Sequence, residues 1–176
     1  MMADDLASII AGCRAGDRRA QQRLYERYHR RLYALAARMV GPADAADVVQ
    51  EIFLRVFARI GSFRGEAAFF SWLYRVAVNE CLRHLRRRST PLQPFTEEPV
   101  CGSPGPHRVL EQADLLERAL QELKPPLRAV FWLREGEGLS YEQIAEVLEI
   151  APGTVASQLS RARGVLQAFL RDVARD

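Results

Sequence analysis

Between Ser89 and His107 the chain reads STPLQPFTEEPVCGSPGPH, with five prolines and two glycines. Proline lacks the backbone donor a helix needs and its ring clashes with the preceding turn, so no helix runs through this stretch. It shows no apolar–polar alternation either, so it does not read as a strand. An unstructured run of about 15–20 residues is too long for an ordinary connection inside a compact domain. Residues 89–107 are therefore expected to be a flexible linker between two separately folded parts. A chain of 176 residues has room for two small domains.

Everything outside the linker carries helical signals. A first helix is expected from about Asp4 to Arg14, stopped by Gly16. Asp17 can cap a second, Arg18 to Val40, which ends at Gly41–Pro42. A third spans about Ala43 to Ile60, and a fourth about Glu66 to Arg88. Then come Arg108 to Leu123, Pro126 to Glu135, Tyr141 to Leu148 behind a Ser140 cap, and Gly153 to Val173. No run alternates as a strand does. The expected fold class is all-α: residues 1–88 and 108–176 as two small helical domains, the second a helix-turn-helix.

Composition narrows the setting. An apolar fraction of 48% is enough for packed cores, and no apolar run approaches the roughly 18 residues of a membrane span. The N-terminal MMADDLASII is acidic where a secretory leader is basic. The expected location is the cytoplasm, without membrane insertion. Cys13, Cys81 and Cys101 are odd in number and scattered, which fits a reducing compartment and no disulfide framework. Charge is uneven: residues 1–90 hold 16 Arg/Lys against 9 Asp/Glu, and residues 91–176 hold 9 against 13. Such asymmetry suggests two modules with different partners. It also predicts that the halves attract one another in the isolated chain, an attraction that salt would screen. All basic residues but Lys124 are Arg, which suits bidentate phosphate or base contacts and equally follows from GC-rich coding.

The C-terminal part contains GLSYEQIAEVLEIAPGTVASQLSRAR, Gly138 to Arg163. Its first helical pattern carries Glu142, Glu146 and Glu149 and places small Ala145 where a second helix would cross. The second buries Val155, Leu159, Ala162 and Leu166 on one stripe. Its other side shows Thr154, Ser157, Gln158, Ser160, Arg161 and Arg163, with no acid among them. DNA carries dense negative charge, so a helix lying in its groove excludes carboxylates from the face it presents. Two short helices across a tight turn, the second basic, match a DNA-binding helix-turn-helix. Arg161 suits guanine and Gln158 adenine. A plain helical hairpin with a solvated basic face is the other reading.

In the N-terminal half, Val48, Val49, Ile52, Phe53, Val56, Phe57 and Ile60 form one apolar stripe. The remaining face carries Asp47, Gln50, Glu51, Leu54 and Arg55. A leucine within a polar face suggests a docking surface for another protein, or is a stray on a solvated one. The next helix aligns Trp72, Arg75, Asn79, Arg83 and Arg86. An aromatic, an amide and arginines on one side suit an unstacked base and its phosphates. Core packing is the alternative for Trp72, and a dipole-favoured basic C-terminus the alternative for the RHLRRR run.

DVVQEIFLRVF, FRGEAAFFSWLYRVAVN, LSYEQIAEVL and GTVASQLSRAR, in that order and spacing, resemble an extracytoplasmic-function (ECF) sigma factor of the sigma-70 family. The resemblance covers nearly the whole chain apart from the linker. It implies that residues 1–88 are region 2 and 108–176 region 4, with core RNA polymerase and promoter DNA as partners. It implies polymerase docking through Asp47, Gln50 and Glu51, with Leu54 and Arg55 beside them, on the clamp coiled coil of the largest catalytic subunit. Phe63, Arg64, Trp72, Arg75 and Asn79 would open the minus-10 element and capture a flipped base, and the helix-turn-helix would read the minus-35 element. An anti-sigma factor as regulator is also implied. One departure stands out. After GTV many members carry Arg or Lys, and this chain has Ala156, with Gln158 and Ser160 following.

Two other function classes could use parts of this chain. A transcriptional regulator acting without polymerase would use the helix-turn-helix but leave the Asp47–Arg55 and Trp72–Arg86 faces idle. An enzyme needs a nucleophile or clustered metal carboxylates, and no such constellation is present, so neither catalytic residues nor a cofactor is expected. Cys81 and His84, with Cys101 and His107, are metal-binding types. Their spacing matches no known zinc pattern, and no metal site is expected.

Overall fold

The computed structural model describes residues 2–63, 65, 69–89 and 115–175. The proline-rich segment, Arg64, Cys101, His107 and Arg108 lie outside them. Helix α1 (Met2–Arg14) stops at Gly16, whose φ of +77° suits a residue without Cβ. Asp17 then caps α2 (Arg18–Val40) by accepting from the Arg19 amide at 3.0 Å. Helix α3 (Pro42–Arg59) opens on proline, which loses nothing at a first turn, and runs into a 3₁₀ turn, Ile60–Ser62. Helix α4 covers Phe69–Ser89. After residues 115–121 (α5) come α6 (Pro125–Glu135), α7 (Tyr141–Leu148) and α8 (Pro152–Val173). Helix α7 begins with a capping box: Ser140 accepts from the Gln143 amide while the Gln143 side chain accepts from the Ser140 amide.

Helices α1–α4 form one unit. Leu24, Leu32, Leu35 and Met39 of α2 meet Ile52 of α3 and Phe69, Leu73 and Tyr74 of α4, all fully buried. Helix α1 crosses α2 closely because a Cβ at Gly12 would fall 2.5 Å from that of Ala20. In the second unit α5 meets α8 around Ala119, Leu120, Leu123, Ala162 and Leu166. The two units also pack on each other. Helix α6 lies on α2, and α6 and α7 lie on α4, so one apolar cluster continues from Ile9 to Leu159.

Candidate nucleic-acid interface

Helix α3 buries Val48, Val49, Ile52, Phe53 and Val56 and turns Asp47, Gln50 and Leu54 outward. Leu54 is 65% exposed, a large apolar side chain held in water by the burial of its neighbours. Glu51 and Arg55 are half-buried. Glu51 pairs with Arg87 at 2.7 Å and with Arg83 at 3.4 Å. Arg55 pairs at 3.1 Å with Glu80, itself buried and paired with Arg83 at 2.7 Å. Burial alone would raise the Glu51 carboxyl, but the hydrogen bond and charge of Arg87, reinforced by Arg83, outweigh it and hold the group below its ordinary value.

Beside this face runs a shallow groove of about 520 Å³ between α2 and α3, lined by Tyr25, His29, Tyr33, Gln50, Phe53 and Leu54 among others. Tyr25 and His29 have ring centroids 4.6 Å apart, and Tyr25 and Phe53 4.7 Å. Sequence reasoning missed the α2 contribution. Its signal was present: Tyr25, His29 and Tyr33 recur every fourth residue and so share one helix face.

On α4 the structure brings Trp72, Arg75 and Asn79 to one side, with Asn79 exposed and the other two half-buried. Trp72 packs over Phe63 and Phe69 at ring distances of 5.5 and 5.7 Å. Phe63 is only 5% exposed and sits in the core cluster. Arg14 of α1 fixes this turn by donating to the carbonyls of Ile60 and Phe63. Phe63 thus packs against the Trp72 ring from within the core cluster. Arg83 is committed to Glu51 and Glu80, and Arg86 is exposed on the last turns. Arg75 is the surprise. Its guanidinium donates to the Glu149 carboxylate at 2.9 Å and to the Glu146 carbonyl at 2.7 Å, both from the second unit.

In the helix-turn-helix, the turn works because Glu149 adopts the left-handed conformation, φ +56°. Val155 and Leu159 are buried in the cluster that α7 shares, whose Ala145 is also buried, and Ala162 is buried toward α5. Ser157, Ser160 and Arg161 are exposed, and Thr154 and Gln158 are half-buried. Gln158 Oε1 is buried without a hydrogen-bond partner among the described residues. Arg163 points back to Glu135, at 2.8 Å. Arg161 pairs with no carboxylate among the described residues, so the first turns of α8 present one unneutralised arginine at their outer edge.

The comparisons fall on these same elements. The family model for Sigma-70 region 2 matches residues 24–90, and that for Sigma-70, region 4 matches residues 113–166. The RNA polymerase sigma-H factor of Pseudomonas aeruginosa is 36% identical, over 96% of this chain and 95% of that protein. The chain belongs to the sigma-70 family. The ECF RNA polymerase sigma-E factor of Escherichia coli strain K12 is 33% identical over 95% of both chains. Among solved structures, CnrH in complex with the cytosolic domain of CnrY superposes with a TM-score of 0.71 at 27% identity, covering 97% of this chain and 98% of that one. The sigma factor RpoE from Bartonella quintana, crystallised with the anti-sigma factor NepR, gives 0.69 at 27% identity, covering 85% and 96%.

This sigma factor is of the ECF type, and the family's work is to regulate transcription initiation. No helix among the described residues is long and apolar enough to cross a membrane. No group of His, Cys, Asp and Glu among them is placed to hold a metal ion. Cys81 is buried, its thiol pushed up to about 12 by desolvation, and His84 faces Asp44 at 3.2 Å.

Proposed function

We propose that residues 1–88, 89–107 and 108–176 serve as region 2, linker and region 4 of an ECF sigma factor, with each exposed face given one job. Core RNA polymerase docks on Asp47, Gln50 and Leu54, and the Tyr25–His29–Tyr33 groove beside them receives the same partner. Glu51 and Arg55 position that face by tying α3 to α4. Trp72, Arg75 and Asn79, with Arg86 further along and Phe63 behind, take the unstacked minus-10 strand by stacking and phosphate contact. Thr154, Ser157, Gln158, Ser160 and Arg161 read the minus-35 duplex, and Arg163 holds phosphate. The protein works in the cytoplasm, performs no chemistry of its own and needs no cofactor. An anti-sigma factor controls it; relatives of the same fold are held by the cytosolic domain of CnrY and by NepR.

The observation that carries the docking assignment is Leu54, 65% exposed at the meeting point of the polar face and the aromatic groove. Leu54→Glu removes an apolar anchor and places a charge where a partner must desolvate it, an effect of several kcal/mol. It touches no core residue. The variant should keep its circular dichroism and fail to co-purify with core polymerase. Normal co-purification overturns the assignment.

A further inference from the structure

Part of the side of α4 that would meet single-stranded DNA is already occupied, at Arg75, while Asn79 and Arg86 stay exposed. Ser71 donates to the Glu146 carboxylate at 2.9 Å, and Arg75 reaches the Glu146 carbonyl and the Glu149 carboxylate. Glu146 lies in the last turn of α7, where carbonyls have no partner within the helix and the dipole is negative. Arg75 therefore caps that helix end as a cation. The reverse contact exists too. Arg128 of α6 donates to the Met39 carbonyl in the last turn of α2, at 2.7 Å. Each unit supplies an arginine to the unpaired helix end of the other.

Resting on the assignment of α4 to the unstacked strand, we propose that α7 is an internal substitute for promoter DNA. A carboxylate and a helix C-terminus offer Arg75 what a phosphate offers: negative oxygens in hydrogen-bonding geometry. Closure of the chain and capture of the strand then exclude each other. The other two working faces are left clear. Asp47, Gln50 and Leu54 on α3 stay exposed, as do Ser157, Ser160 and Arg161 on α8. Closure therefore blocks strand capture without blocking either docking or duplex contact.

The seam is built to be given up. Arg75 Nε, Arg128 Nε and Trp132 Nε1 are buried without partners among the described residues, and an unsatisfied buried donor weakens whatever contact buries it. The Arg75–Glu149 pair lies at the rim, its side chains 32% and 66% exposed, where competing phosphates can reach it. This also answers why a chain with a basic DNA-reading helix keeps an acidic one directly before it. Glu146 and Glu149 turn away from the duplex and toward α4.

The test uses the full chain and a fluorescein-labelled random single-stranded oligonucleotide, with a labelled duplex as control and circular dichroism to check folding. Glu149→Gln should bind the single strand about three- to fivefold more tightly, the factor expected from losing one partly solvated ion pair. Its duplex affinity should not change. Glu142→Gln removes a charge from the same helix but away from the seam, and should bind both probes as the parent does. Equal gains in the two variants would mean a general charge effect and overturn the proposal. Parent-like binding by Glu149→Gln, with weakened binding by Arg75→Gln, overturns it too and leaves the α4 assignment standing. If Arg75→Gln also binds normally, α4 is not the strand face, and the assignment and the proposal fall together.

Discussion

Arg161 and Arg163 are two residues apart on α8, yet the structure gives them different surroundings. Arg163 leans on Glu135 at 2.8 Å, and that carboxylate keeps its guanidinium pKa above the ordinary value. Arg161 has no carboxylate beside it among the described residues and stands on the exposed side of the first turns. A base contact needs a side chain that can reach in with both donors available. Arg161→Ala should cost about 1–3 kcal/mol and relax preference at one promoter position. Arg163→Ala should weaken binding to all sequences alike and lower the salt slope by about one unit. Binding by the polymerase-bound variants to promoters substituted one base at a time in the upstream element separates the two. An equal shift on every promoter after Arg161→Ala would make it a phosphate contact. At this scale the sequence is legible only for residues whose role is local. Arg128 reads as one more surface arginine, but it is 4% exposed and donates to the carbonyls of Met39, Gln121 and Leu123. Nothing in its neighbours along the chain signals that.

Helix ends were readable because their causes are local. Gly16, Asp17, Gly41 and Ser140 act on residues within a turn of themselves, so that α2 begins and ends, and α7 begins, where those signals put them. Glu149 was not readable in the same way: its left-handed conformation is set by the turn it must close, not by its own preference. How helices are tied to each other was also hidden. The resemblance implies a docking role for Glu51, and nothing local to it signals the strut it forms from α3 to Arg83 and Arg87 of α4. Its carboxyl is held below its ordinary value. A carboxyl lowered in the folded state contributes stability above its unfolded pKa and loses it as pH falls through the folded value. The strut is therefore complete at neutral pH and fades as the pH falls through and below the ordinary carboxylate range. Both partners are partly solvated, so the contribution is small, about 1 kcal/mol or less. Thermal melts should show Glu51→Gln slightly less stable than the parent at pH 7, with the gap closing in acid. A gap that persists unchanged in acid would mean that the charge of Glu51 is not what ties the helices.

For the whole molecule, the proline-rich segment marked the division into two helical units, and the charge asymmetry pointed to attraction between them. In the structure the two units pack on each other mainly through buried contacts rather than through exposed charge. The middle of the seam is buried: one apolar cluster runs through it, and with it go Trp132 under the Arg38 guanidinium at 5.5 Å and the buried Tyr74 hydroxyl, which donates to Glu137 at 2.7 Å. Burial and that bond push the Tyr74 phenol well above its usual range. The solvated Arg75–Glu149 pair is left at the edge. Salt screens exposed charges over about 8 Å but acts weakly on buried contacts. The isolated chain should therefore scatter as a particle with a radius of gyration of about 16 Å, and should keep that size as salt rises. Trp132→Ala removes packing from the middle of the seam and should enlarge the particle without loss of helical circular dichroism. Expansion of the parent by salt alone would mean that the rim charges hold the halves together. The compact form also cannot be the one that spans a promoter. Elements named for positions 25 base pairs apart are separated by roughly 85 Å at 3.4 Å per pair, far beyond the reach of a particle of that radius. Scattering from the chain bound to core polymerase, with the polymerase contrast-matched, should therefore show the two units apart. A sigma factor still compact on the polymerase would mean that the closed form persists after docking and gives way only at the promoter.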